Sequence, residues 1–207
     1  MWALIEDSEI VKIINNPKGM VIGDTRHSKN IFSFRWTDEE REAIGIYEVV
    51  FDNSNKKDDK WYINTNQTFT FADDTVTASY GSATPRKHAD TLWTADDESN
   101  GLGTEGEVAT RGLKYNLIET IKKQASGLLE KTDWYNHKAL DDETFTIPAN
   151  ITTFRANVRT RSNEMETEIN NASNTPALET LYTYVNTGTE ENPVMERPLG
   201  EWPILEV

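Results

Sequence analysis

Residues 128–138 read LLEKTDWYNHK. Leu128 and Leu129 close a helix-patterned run, Thr132-Asp133 reads as a turn, and Trp134 and Tyr135 follow at once. Upstream, Leu113, Leu117, Ile121, Ala125 and Leu128 recur at helical spacing and make one apolar stripe. Downstream, Ile151, Phe154, Val158, Met165 and Ile169 make a second stripe at near-heptad spacing, with Ser162 as its polar break. Two stripes joined by a short turn predict an antiparallel helical hairpin. Trp134 and Tyr135 then read as the wedge that sets the crossing angle, with Trp134 in a core shared with Leu117, Ile121, Phe154 and Val158. A third helix is expected in NTPALETLYTYV, with Thr175 as cap, Pro176 at the first helical position, and Leu178, Leu181, Tyr182 and Val185 on one face. Pro198 and Pro203 keep the tail MERPLGEWPILEV extended.

The first half has a different period. WALI and EIVKII flank the polar turn EDS, and IYEVVF is a further strand. KGMVIGD and NIFSFRW are short apolar runs between polar residues. TDEEREAIG carries a short helix, with Thr37 capping, Glu40 three residues on and Gly45 as the stop. In 52–80, KWYIN, QTFTFA and TVTASY read as strands, the last two joined across Asp73-Asp74. Residues 81–106 are dominated by Gly, Ser, Thr, Asp and Pro and read as an acidic linker. The expected class is α+β. A β-rich module spans 1–51, a β segment 52–80, the linker 81–106, and a three-helix module with an extended tail 107–207.

Composition narrows the function. A net charge of −14 over 207 residues leaves no cationic face for nucleic acid. The absence of cysteine excludes disulfides, thiolate catalysis and Cys-based zinc sites. MWALIEDSEI lacks the basic and apolar regions of a signal peptide, and no window has the apolar length of a membrane helix, so a protein made in a cytoplasm is expected. His27, His88 and His137 have no second histidine at ligand spacing and read as structural or exposed. There is no G-x-S-x-G, and GLGTEG lacks the flanks of a phosphate loop. The acids pick out no catalytic pair, so a glycosidase is the least favoured reading. No cofactor is implied. Asp96, Glu98, Asn100 and Glu107, with Gly101 at position 6, approximate a calcium loop. Glu at position 3 and Gly103 at position 8 depart from that pattern, and a flexible acidic linker without metal is the preferred reading.

Arg155 and Arg159 are neighbours on one helix face. They can pair with acids of the same chain, such as Asp133 or Glu166, or clamp a partner's carboxylates. Leu199, Trp202, Ile204 and Leu205 lie on a tail that cannot bury them in a helix of its own; it either packs back on the helical half or lies on a neighbouring subunit, and the second is preferred.

The run from LKYNLIETIKKQASGLLEKTDWY through IPANITTFRANVRTRSNEMETEI to PLGEWPILEV resembles a group of tailed-bacteriophage proteins. These are tail-associated and tail fibre assembly-type proteins, best represented in marine cyanophages and their relatives. The matching residues are Asp133-Trp134, Ile147-Pro148, Phe154-Arg155, Arg159 and Trp202-Pro203. The N-terminal MWALIEDSEIVKII, with IGDTRHSKNIFSFRWTDEEREAIGIYEV, is similar to a module that many of them carry. Phe154 stands where Tyr is common, and the segment 60–80 has no counterpart. The resemblance implies a virion structural role without catalysis, as a connector or attachment component for tail fibre, baseplate or tail hub, present in several copies or as a homo-oligomer. The alternative is a tail fibre assembly chaperone absent from the mature virion. Trp134, Tyr135, Arg155, Arg159, Trp202 and Pro203 are then the expected partner-binding residues.

Overall fold

A computed structural model describes residues 1–206, and the chain divides into two units, 1–84 and 85–207. The first unit is β-rich. Strands β1 (Trp2–Glu6) and β2 (Glu9–Ile14) form the expected hairpin. Its turn residues Asp7 and Ser8 both have positive φ, which matches the right-handed twist of the strands. β3 (Met20–Ile22) and β4 (Thr25–His27) make a second small hairpin. NIFSFRW is not a strand. Lys29–Phe32 form one 3-10 turn, capped by the Ser28 side chain. Helix α1 (Asp38–Glu42) has the expected capping box of Thr37 and Glu40, and Gly45 follows at φ +79°.

β5 (Ile46–Asp52) holds the unit together. Its first half pairs antiparallel with β1 and its second half pairs parallel with β8 (Thr75–Ser79). Two further strands precede β8: β6 (Tyr62–Ile63) and β7 (Thr68–Ala72), which pairs with β8 across Asp73-Asp74. Those two turn residues again have positive φ. The sheet order is β2-β1-β5-β8-β7, curled until its edge strands touch. Residues 52–80 therefore belong to the N-terminal unit, with β7 and β8 in its main sheet, and are not a separate segment. β1 is buried on both faces, which is why WALI reads as a continuous apolar run. Ala3 and Ile5 join Val49, Val76 and Ala78, while Leu4 joins Ile14, Ile31 and Ile46.

The second unit begins with β9 (Thr84–Pro85) at its boundary, β10 (Thr91–Leu92), α2 (Ala95–Ser99) and β11 (Val108–Thr110). The stretch expected to be a linker is thus ordered structure, because other parts of this unit satisfy its polar backbone. The Asp90 carboxylate accepts the Gly112 N–H at 2.7 Å and pairs with Arg111 at 2.6 Å. The carbonyls of Lys87 and His88 accept the N–H groups of Leu113 and Lys114. The buried Thr175 hydroxyl donates to the Arg86 carbonyl.

Helix α3 (Leu113–Glu130) and the longer α5 (Ala149–Asn171) pack antiparallel. Lys114 Nζ at the start of α3 donates to the Asn170 carbonyl, while Arg155 near the start of α5 donates to that of Leu129. Leu117, Ile121 and Ala125 of α3 are buried, as are Ile151, Phe154, Val158, Met165 and Ile169 of α5. Ser162 is buried with its stripe and spends its hydroxyl on Glu166 at 3.1 Å. Between them lies α4 (Asp133–Asp141), where the sequence suggested only a turn. Helix α6 (Thr175–Tyr182) is capped by Asn174 rather than Thr175. Thr175 stands inside the helix, its hydroxyl engaged by Arg86, and Leu178 is fully buried. Val185 lies outside α6, half exposed in the hairpin of β12 (Val185–Asn186) and β13 (Met195–Glu196).

The tail folds back on its own unit. Leu199 is 0% exposed. Trp202 and Leu205 pack against the core of Ala125, Phe154 and Val158. Arg161 donates to the Leu199 carbonyl, the Trp202 indole donates to Gln124 at 3.0 Å, and Asn150 donates to the Glu206 carbonyl. Gly200 sits at φ +69°, and a Cβ there would meet the Arg161 guanidinium at 2.3 Å. The expectation of a tail docked on a neighbour is corrected, because Leu199 and Trp202 find their apolar partners in this unit.

Candidate partner-docking site

The elbow between α3 and α4 is built on one buried arginine. Arg155 is 8% exposed, and its Nη1 donates to the Leu129 carbonyl at 2.8 Å and to the Thr132 hydroxyl at 2.7 Å. Its Nη2 pairs with Asp133 at 2.8 Å. Thr132, 2% exposed, does not cap α4 with its side chain; its hydroxyl donates to the Leu129 carbonyl and its oxygen accepts from Arg155. The guanidinium therefore sits at the carbonyl end of α3, where positive charge is favoured, and ties that end to the first residue of α4. Of the two arginine readings, pairing within the chain holds for Arg155, with Asp133 rather than Glu166. Arg159, one turn on, is exposed and makes only a 3.3 Å bond to the Arg155 carbonyl.

With the elbow fixed by Arg155 and Thr132, the aromatic pair is free of that task. Trp134 is 52% exposed, so its assignment to the core is corrected. The start of α4 turns its indole away from the α3–α5 seam, and the ring packs on Tyr135 with centroids 3.8 Å apart. Phe145 adds a third ring, 6.4 Å from Trp134 and 6.3 Å from Tyr135. A local turn brings it there. The Asp142 carbonyl accepts the Phe145 N–H, and the Asp142 carboxylate accepts the Thr144 hydroxyl and N–H. Those bonds, the Thr144 hydroxyl foremost, hold the Asp142 carboxyl below its usual range. Lys138 Nζ lies 4.3 Å from the Phe145 centroid, a cation over a ring face. Phe145 was missed from sequence, because its approach to Trp134 depends on a turn that only the Asp142-Glu143-Thr144 context signals.

Trp202 and Pro203 lie apart from this cluster in sequence, on the tail. With Leu128, Lys131, Thr132, Phe154, Ile204 and Leu205 they line an apolar groove of about 440 Å³. Of the expected partner-binding residues, Trp134 and Arg159 thus reach the surface. Tyr135, Trp202 and Pro203 are half-buried and Arg155 is internal.

The calcium-loop reading is corrected by geometry. Asp96 and Glu98 stand on α2, and Asn100 ends it, its side chain donating to the Asp96 carbonyl at 2.8 Å. Helical backbone at loop positions 1–4 keeps these side chains from encircling a common point. Thr94 and Asp97 instead form a capping box. Among the described residues there is no group of three or more His, Asp or Glu that could hold a metal. His27 packs edge-on to Trp36 at 6.2 Å, and His137 lies exposed on α4. No helix among the described residues is long and apolar enough to cross a membrane. The chain matches no family model, no curated protein and no solved structure.

Proposed function

We propose that the protein is a non-enzymatic connector of a bacteriophage tail, resident in the virion, that docks a fibre, baseplate or hub protein through the aromatic face of α4. One observation carries the docking part: two aromatic rings on a nine-residue helix and a third brought against them by the turn that follows it, with the largest of them half in solvent. A ring of that size left in water forgoes the stabilisation that burial would bring, and patches of this kind mark interaction surfaces. The rigid mounting supports the same reading. Arg155 and Thr132 hold α4 without using Trp134, so the ring is not needed to fix the elbow. The resemblance at Asp133-Trp134, Phe154-Arg155 and Trp202-Pro203 supplies the tail assignment.

Purified particles test it. A connector is found in them at a fixed ratio to the other tail proteins, set by tail symmetry. The Trp134→Ala variant, folded as judged by its melting curve, is lost from particles. Abundance in infected lysate with absence from particles would establish the assembly-chaperone alternative instead.

A further inference from the structure

We infer that the α4 face receives a basic segment of its partner, an arginine-bearing stretch with an apolar side chain beside it. This rests on the docking reading above. The aromatic cluster is followed directly by Asp141, Asp142 and Glu143, and preceded by Glu130. Among the described residues these four carboxylates enter no ion pair. Asp133, the other acid here, is already matched by Arg155. Lys131 and Lys138 are the lysines between 130 and 145, and Lys138 is drawn over Phe145. The surface therefore offers ring faces and surplus negative charge together, along with the carbonyl end of α4, which also favours cations.

Charge selects among occupants. A second copy would bring another −14 to the contact, so self-association opposes the field that a basic partner uses. A neutral sugar could stack on Trp134 but would leave the carboxylates without a role. Arginine satisfies both features, because its planar guanidinium stacks on indole and pairs with carboxylates in the same pose. Lys138 over Phe145 shows that a ring of this cluster accepts a cation on its face.

The test uses the isotope-labelled full-length chain, whose six tryptophans give separate indole N–H signals. The Trp134 signal is identified by its loss in Trp134→Phe. Two synthetic peptides of equal length are titrated, each with a central leucine, one flanked by arginines and one by glutamates. A neutral glucose oligosaccharide is the third probe. The arginine peptide is expected to move the Trp134 signal saturably, and added salt to weaken the effect. The double variant Asp141→Asn/Glu143→Gln is expected to bind about fivefold more weakly, the equivalent of two exposed charge pairs, with an unchanged melting temperature. A Trp134 signal moved by the glutamate peptide or the oligosaccharide, and not by the arginine peptide, overturns the basic partner while leaving docking at Trp134 intact. No movement with any probe overturns it as well. Retention of the Trp134→Ala variant in particles would remove the docking reading itself.

Discussion

Replacing Arg155 with alanine removes three contacts at one stroke: the bonds to the Leu129 carbonyl and Thr132 hydroxyl, and the pair with Asp133. The first two come from a charged donor in a nearly closed site, and such bonds contribute about 1.5–3 kcal/mol each. The loss is softened because Leu129 O keeps the Thr132 N–H and hydroxyl as donors. The Asp133 pair adds little, since that carboxylate is 46% exposed and water can replace the guanidinium. The expected cost is about 2–4 kcal/mol, large for a domain of this size. Urea unfolding of the full-length chain, followed by helical circular dichroism, would read it as a lower midpoint at an unchanged slope. Arg159→Ala is the internal control, four residues along the same helix but exposed, and should stay within about 0.5 kcal/mol of the parent. Arg155→Lys should fall between the two, because an ammonium cannot reach a carbonyl, a hydroxyl and a carboxylate with the fork geometry of guanidinium. Equal midpoints for the Arg155 and Arg159 alanine variants would show that the elbow is held by something other than this arginine.

Three further outcomes are expected. Trp134→Ala should cost less than about 1 kcal/mol in urea unfolding, because the ring is half in solvent; a loss of about 3–5 kcal/mol would return it to the core. Deleting residues 198–207 should destabilise the isolated chain by about 3 kcal/mol or more, through loss of fully buried Leu199 and uncovering of Phe154, and an unchanged melting temperature would refute the folded-back tail. Burial raises the Tyr182 phenol to about 12, against Arg197, which lowers it. Since the folded value lies above the unfolded one, the neutral phenol's contribution is complete below the ordinary value of 10.0 and is lost as pH rises towards about 12. Phenolate absorbance measured with and without Tyr182→Phe should show this tyrosine ionising after the exposed ones.

The local features of the fold were legible because their causes are local. The turn at Asp7-Ser8, the capping box at Thr37 and both apolar stripes rest on residues within a few positions of one another. The parallel pairing of β5 with β8 was hidden, since nothing in IYEVVF or TVTASY says which edge either strand will find across the intervening residues. The supposed linker was misjudged on composition. Its Gly, Ser and Asp content signals irregular backbone, but Asp90 and the Lys87 and His88 carbonyls give that backbone fixed partners. Trp134 was misplaced by a habit of reading large rings as core. The residue that sets the elbow is Arg155, whose burial could be suspected only from its place beside Phe154 and Val158 on the inward face of α5.

The folded-back tail also has a consequence in time. Leu199, Trp202 and Leu205 are translated after both helices that they cover, so α3 and α5 leave the ribosome with their seam open at Ala125 and Phe154. Until those residues arrive, the growing chain leaves an apolar slot uncovered, a feature that chaperones and proteases recognise.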